Sequence, residues 1–372
     1  MKTKNSTKKD LRVPSNPQKL VDEDIACATK SLGSLVDKLN GTKVLITGSN
    51  GLLGSYIADT IKALNRKFSK PCKVLCVNRS IPASGTRNFH LVNDVNFSFL
   101  SHDVSRPLDL LKFRPDYMFL CAGSSTPKNF QADELLTIDL NVNGVRWALE
   151  YARDAKVRGI LYFSSGAVYG DPPADKVPTS ESYNGNVDTL SPRACYSESK
   201  RLSETLCTIF AKKYNVPVYI ARIFVTYGPG VTVNDGKVLS DFMKQVLEGR
   251  PVGMKGGGED LRSDCYVSDA TEAFFRIILT GRPGEAYNVG SDLNEYSIKE
   301  MAALLHKICG IAGYPKCETG SSQDYIKSAP KRFCPDISKL KRELAYMPKV
   351  NVYSGLKRTV EWNISYQNLY GR

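Results

Sequence analysis

The sequence predicts an α/β protein, a doubly wound parallel sheet with a smaller mixed C-terminal substrate domain, and three observations carry that expectation. Short β-branched apolar runs alternate with helical segments from Thr42 to about Val225, and strands that are apolar throughout belong to parallel sheets covered on both faces. The first such run passes through a glycine-rich turn into a helical pattern. Beyond Val225 the alternation gives way to glycine-rich loops (GPGVTVNDG, KGGGED) and helical pieces such as DATEAFFRIILTG and SIKEMAALLHKICG.

Along the chain, residues 1–40 form a basic N-terminal extension, partly helical. A Lys-rich, Pro-punctuated opening precedes VDEDIACATKSLGSLVDKL, which patterns as one amphipathic helix. Residues 41–225 make the doubly wound domain of Rossmann type, with strands KVLITG, KVLCVN, YMFLCAG, GILYFSS and VYIARIF and intervening helices such as SYIADTIKALNRK and SESKRLSETLCTIFAKKY. Residues 226–372 are mainly the substrate-binding domain, discontinuous, with some strands returning to the main sheet.

Composition narrows the function classes. A 372-residue chain that is 42% hydrophobic buries a real core, which excludes disorder throughout. No stretch reaches the roughly 20 apolar residues that cross a bilayer, and the first thirty residues hold no apolar signal core, so the expectation is a cytoplasmic protein with no membrane partner. Ten cysteines without a Cys-x-x-Cys pair, and only three histidines, predict no metal site and reduced thiols. The formal charge of +13 points to nucleic acid until it is resolved along the chain: residues 1–43 and 326–372 carry eleven of the thirteen charges. The nearly neutral body argues against a nucleic-acid partner.

The first strand runs into Thr47-Gly48-Ser49-Asn50-Gly51-Leu52-Leu53-Gly54. Glycines here let the backbone turn tightly and let a pyrophosphate approach the amides of a helix N-terminus. Between first strand and first helix, the turn reads as a dinucleotide site. The second strand ends in Asn78-Arg79. An acid at this place accepts from a ribose 2′-OH, whereas Asn followed by Arg suits a 2′-phosphate. NADP is favoured by this pair, and NAD stays open, as does a merely solvated arginine. Asp103 and Val104, after the next strand, offer a carboxylate and an aliphatic wall to adenine; Asp103 as a simple turn residue is the competing reading.

Tyr196 and Lys200 are four residues apart at the start of a long helical pattern, so phenol and ammonium share a face. A fixed cation stabilises phenolate and lets the tyrosine exchange a proton with a sugar hydroxyl. Ser164 and Ser165 end the strand GILYFSS, at the carboxyl edge that lines the ligand crevice of such sheets.

With these pieces in order, the chain resembles the extended short-chain dehydrogenase/reductase family, in its group of nucleotide-sugar epimerases, dehydratases and decarboxylases. The resemblance runs from about Thr42 to Trp362 through TGSNGLLG, LCAGSSTP, NVNG at Asn141 to Gly144, YFSSGAVYG, CYSESK, ARIFVTYGPG, LRSDCYVSDA, GEAYNVGS and KRFCPDISKLKRELAYMPKVNVYSGLKRTVEW. In motifs it is most similar to the UDP-glucuronate decarboxylase and dTDP-glucose 4,6-dehydratase branch. It implies Ser165, Tyr196 and Lys200 as catalytic residues. It also implies Gly48 to Gly54, Asn78, Arg79, Asp103, Val104, Cys121, Ala122, Gly123, Asn141, Ser164, Tyr196, Lys200, Phe224 and Val225 on the cofactor. For a nucleotide-diphosphate sugar it implies Ser124, Ser125, Ser165, Gly166, Tyr196, Val225, Arg262 and Arg332, the two arginines clamping the diphosphate. A homodimer through a four-helix bundle, built from segments around 133–156 and 196–213, is implied as well.

Three departures bear on the reaction. In 4,6-dehydratases an acid and a base, usually Asp-Glu, follow the catalytic Thr and remove water from C5 and C6; here those places hold Gly166 and Ala167. The decarboxylase branch usually carries a Glu where this chain has Ala167. The family Asn of R-x-x-N-x-x-G-P is Val225. What survives is the machinery for moving hydride at C4, so the sequence predicts an NAD(P)-dependent 4-epimerase or 4-keto oxidoreductase of polysaccharide biosynthesis, with a decarboxylase next and a non-catalytic cofactor- or nucleic-acid-binding member remoter.

Overall fold

The computed structural model describes residues 11–107, 113–123, 126–233, 235–293, 295–317 and 330–371. Seven strands form its main sheet: β1 (Lys43–Thr47), β2 (Lys73–Asn78), β3 (Phe97–Ser101), β4 (Tyr117–Leu120), β5 (Gly159–Ser165), β6 (Val218–Ile223) and β7 (Ala286–Val289). Every pairing is parallel, in the order β7-β6-β5-β4-β1-β2-β3. The order reverses between β1 and β4, which opens a crevice at their carboxyl ends.

The apolar runs become central strands because both faces are covered. Val44, Ile46, Val74, Cys76, Phe119, Leu161 and Phe163 join one core; their neighbours Leu45, Leu75, Val77, Met118, Leu120, Ile160 and Tyr162 join another. That alternation is the two-residue period of a strand buried on both sides. The first core lies against α1 (Gln18–Leu32), α2 (Leu52–Asn65) and α6 (Val267–Thr280); the second against α3 (Glu134–Ala155) and α4 (Ala194–Tyr214). Asp133 caps α3 by accepting from the Leu136 amide at 2.8 Å, a bond that satisfies one orphan donor of the first turn.

A third core gathers α5 (Val238–Leu247), α7 (Ile298–Cys309) and α9 (Val352–Tyr370), with α8 (Ser338–Leu344) returning to the first. Short two-residue ladders tie this lobe together: 261–262 pairs with 296–297 and with 332–333, and 226–227 pairs with 265–266. The basic ends meet here. Leu20, Val21 and Ile25 of α1 are buried in the third core, and Arg358 of α9 pairs with Asp24 at 2.8 Å and Glu23 at 3.1 Å. Part of the terminal charge therefore fastens helix to helix. Among the described residues no helix is long and apolar enough to cross a membrane.

Candidate active site

The turn after β1 is glycine-built because its neighbours leave no room. Gly48 has φ +69°, and a Cβ there would stand 2.8 Å from the Cα and the nitrogen of Ala122; one on Gly54 would stand 2.5 Å from the Gly48 carbonyl oxygen. Helix α2 starts behind Gly51 with no side chain capping its first amides. Uncapped amides at the positive end of a helix, over a cradle closed to side chains, fit a pyrophosphate.

Around the turn, the buried Asn78 is drawn inward. Its Oδ1 accepts from the Asn50 amide at 3.1 Å and the Ser49 hydroxyl at 3.2 Å, and its Nδ2 donates to Ser49 at 2.9 Å. Arg79 next to it is exposed. Asp103 accepts from the amide and the hydroxyl of Ser105 at 3.0 and 2.8 Å, bonds that hold its carboxyl below the ordinary range. Val104 lines an apolar cleft with Ala122, Leu140 and Trp147, and its carbonyl lies where a Cβ on Gly144 would come within 2.9 Å.

At the end of β5 the two serines part, as adjacent strand residues must. Ser164 donates to Glu204 at 2.5 Å; the partly exposed Ser165 accepts from the Ala167 amide at 3.1 Å and opens the 3-10 turn Gly166–Tyr169. Lys200 of α4 is buried, with Nζ donating to the Phe163 carbonyl at 2.8 Å, so the helix is pinned two residues before Ser165. Burial lowers the Lys200 ammonium to about 8. Tyr196 sits one turn earlier with its ring centroid 5.9 Å from that nitrogen, and Phe130 stacks on it at 5.2 Å.

Asn141 of α3 donates from Nδ2 to Ser199 at 2.9 Å, while its buried Oδ1 has no partner. A Cβ on Gly123 would lie 3.3 Å from that oxygen and 3.5 Å from Lys200 Nζ. The Ala122 amide donates to Thr47 at 3.2 Å, which fixes the backbone from Cys121 to Gly123 beside β1. An orphan acceptor and a buried ammonium facing a glycine wall suit a bound dinucleotide as the glycine turn does. Ser124 and Ser125 lie outside the described residues.

On the other side of Ser165 the cleft is filled by the chain itself. A Cβ on Gly166 would stand 2.7 Å from Phe333 and 3.1 Å from Phe224, whose rings are 4.6 Å apart. Partly buried Val225 accepts from the Cys265 amide at 2.8 Å through its carbonyl. Arg262 and Arg332 lie on adjacent parallel segments. Arg332 is held by both oxygens of Glu295, at 2.5 and 2.8 Å, and donates to the Val177 carbonyl at 2.7 Å. Arg262 donates to the Leu261 carbonyl at 2.8 Å and pairs with Asp260 at 3.4 Å. Asp264, two residues on, is bonded to Tyr296, and burial lifts its carboxyl to about 6.

Several contributors were not singled out from the sequence. Behind Ser165, Arg222 pairs with Glu204 at 2.7 Å and donates to the Tyr169 hydroxyl at 3.0 Å, and Tyr169 donates to Asn288 at 2.7 Å. This buried chain joins α4, β6, β7 and the 3-10 turn. Glu204 stands four residues after Lys200, a spacing that placed it on the catalytic face of the helix; Phe130 and Phe333 reach the site from distant segments and had none.

Residues 44–290 match the NAD dependent epimerase/dehydratase family. The UDP-glucuronic acid decarboxylase 1 of Xenopus tropicalis is 32% identical over 320 residues, 86% of this chain and 72% of that protein. The UDP-glucuronic acid 4-epimerase from Bacillus cereus in complex with NAD superposes with a TM-score of 0.70 at 26% identity, covering 88% of this chain and 98% of the other. The UDP-glucose 4-epimerase from Thermotoga maritima with UDP-glucose gives 0.73 at 25% identity, covering 87% and 98%.

Proposed function

The chain belongs to the NAD dependent epimerase/dehydratase family, and from that premise we propose that it exchanges hydride at C4 of a nucleotide-diphosphate sugar, as a 4-epimerase or a 4-keto oxidoreductase. The carrying observation is the contrast at the end of β5. Lys200, paired with Tyr196, is bonded to the Phe163 carbonyl two residues before Ser165, whereas Gly166 and Ala167 follow Ser165, with Phe333 occupying the direction a side chain at 166 would take.

The glycine turn and the first amides of α2 hold the pyrophosphate of NAD or NADP, Asp103 and Val104 face adenine, and Cys121 to Gly123 and Asn141 border the nicotinamide side. When bound, the nicotinamide supplies the hydride acceptor and donor. Tyr196 takes the proton of the C4 hydroxyl and returns it, and the Ser165 hydroxyl holds that oxygen. Lys200 favours the phenolate through its charge. Because that charge is lost as pH rises through about 8, turnover declines there. Arg262 and Arg332 face the diphosphate. Exposed Leu135, Ile138, Leu202 and Ile209 on α3 and α4 supply the apolar faces of a homodimer bundle.

Decarboxylation is the second reading, favoured by the relatives similar over most of the chain. It shares the C4 chemistry and then releases carbon dioxide from C5. Ala167, in the place of that branch's usual Glu, weighs against it.

The test is to identify the dinucleotide released on denaturation, then supply a panel of nucleotide sugars and follow C4 configuration, carbon dioxide and nicotinamide absorbance. Tyr196→Phe is expected to lower turnover by about 10²–10⁴-fold while the dinucleotide stays bound. Undiminished turnover in that variant overturns the mechanism.

A further inference from the structure

We propose that Glu204 is a positioning residue of this site, which holds the Ser165 end of β5 against the Tyr196 and Lys200 face of α4 and supplies the negative charge behind Lys200. This role rests on the C4 reading and adds to it a carboxylate that stands behind the reacting groups.

Glu204 follows Lys200 by four residues and Tyr196 by eight, so the three side chains share one face of α4. From there the carboxylate reaches two neighbouring strands at one register position, where Ser164 of β5 lies opposite Arg222 of β6. Ser164 donates to its Oε1 at 2.5 Å. Arg222 donates to Oε1 from Nε at 3.0 Å and to Oε2 from Nη2 at 2.7 Å.

Both ends of the segment that carries Ser165 depend on these bonds. Ser164 fixes the residue before it. On the other side Ser165 opens the turn Gly166–Tyr169, and the Tyr169 hydroxyl at the end of that turn accepts from Arg222 at 3.0 Å and donates to Asn288 at 2.7 Å. One carboxylate thus brackets the serine through Ser164 and through Arg222, while its own helix carries the tyrosine. Charge-assisted bonds hold such an arrangement more firmly than neutral ones, and a displacement of about 1 Å between reacting groups lowers rates steeply.

The same carboxylate acts on Lys200, whose ammonium burial brings down to about 8. Facing that ammonium are Tyr196, Glu204 and Cys207 on α4, Cys121 after β4, and Tyr162 of β5 with its ring centroid at 5.0 Å. Asn141 of α3 faces it across Gly123 with an uncharged amide. Burial holds the thiols of Cys121 and Cys207 and the Tyr162 hydroxyl well above their ordinary values, which keeps them neutral. Glu204 is the carboxylate of this set, and it opposes the loss of the Lys200 charge.

Glu204→Gln keeps an acceptor for Ser164 and removes the charge. The full chain with its dinucleotide bound is assayed on UDP-glucose, UDP-glucuronic acid and dTDP-glucose from pH 6 to pH 9. In the variant kcat should fall about 10–100-fold, with KM and dinucleotide affinity changed less than about twofold. The alkaline limb of kcat, set by Lys200 near pH 8, should move about one unit toward lower pH. Glu204→Asp, which keeps the charge on a shorter arm, should leave the limb in place and recover only part of kcat. Ser164→Ala should lower kcat about three- to tenfold with the limb unmoved and the urea midpoint nearly unchanged, since the Arg222 pair stays. An unmoved limb or undiminished kcat in Glu204→Gln, or losses of kcat, KM and dinucleotide affinity that follow the urea midpoint, overturns the role and leaves the C4 reading standing. If Glu204→Gln does not fold, Ser164→Ala decides, and undiminished kcat there overturns the role as well. C4 exchange by the unmodified chain on none of the three sugars overturns the reading and the role together.

Discussion

The two halves of the cleft are built on opposite terms. In the cofactor half the backbone approaches closely and polar groups are left open: glycines at 48 and 54 admit no side chain, the first amides of α2 are uncapped, and Asn141 Oδ1 has no partner. In the substrate half the chain occupies its own site. Phe333 fills the direction of a side chain at 166, Glu295 holds Arg332, and Asp264 stands two residues from Arg262. On the proposed reading, the difference teaches that the substrate half is distinguished by the chain's own side chains filling its places. Each filler is then a handle on specificity.

The severest test of that contrast is Gly166→Asp. In a half that had merely lost its carboxylates, the substitution would be tolerated. Here the new Cβ falls 2.7 Å from Phe333, so overpacking and burial of a carboxyl between two aromatic rings should cost about 3 kcal/mol or more, read as a lower urea midpoint. Phe333→Ala in the same chain should recover most of that loss. Additive losses in the double variant would show that the ring does not set the limit at 166.

Much of the cofactor half was legible in the sequence because its determinants are local. The turn from Gly48 to Gly54, the Tyr196 and Lys200 spacing and the apolar strands all act within a few residues, and the parallel sheet follows from them. The substrate half depends on pairs far apart in the chain: Phe333 with Gly166, Glu295 with Arg332, Phe130 with Tyr196. No periodicity encodes such partners. Arg332 illustrates the limit, since the family resemblance implied a diphosphate ligand while its bidentate partner Glu295 became visible only when the segments at 295 and 332 were brought together. The N-terminal segment is similar: its amphipathic pattern was readable, but not that the α-helix would stop at Leu32, with Gly33 at φ +54° opening a 3-10 helix to Leu39, nor that Asp24 would accept from Tyr56 and Tyr266 at 2.9 and 2.8 Å.

Glu295→Gln sharpens the comparison at the diphosphate. The variant keeps an acceptor for Arg332 and removes the negative charge that competes with the substrate. Both side chains are about one third exposed, which tempers the effect through solvent screening, so KM for a nucleotide sugar should fall about three- to tenfold with kcat unchanged. An unchanged KM would mean that the substrate leaves Arg332 with Glu295 and is held by other groups.

Asp264 gives the smallest effect and the one with a pH signature. Its carboxyl is lifted to about 6 by burial, against an ordinary value of 3.8, with Arg262 and the Tyr296 hydroxyl opposing the shift. Above pH 6 it is ionised beside Arg262 and repels a diphosphate; near pH 5 it is mostly neutral. KM should therefore rise as pH rises through about 6, and Asp264→Asn should remove that rise, lowering KM about two- to fivefold at pH 8 and leaving it unchanged at pH 5. Stability carries the same sign. A carboxyl with a raised folded pKa binds more protons in the native state between 3.8 and about 6, so its contribution is full below that window and lost as pH rises through it. Relative to the unmodified chain, the urea midpoint of the Asn variant should thus improve from pH 4 to pH 7. A KM difference that does not vary between pH 5 and pH 8 would remove Asp264 from the diphosphate side of the cleft.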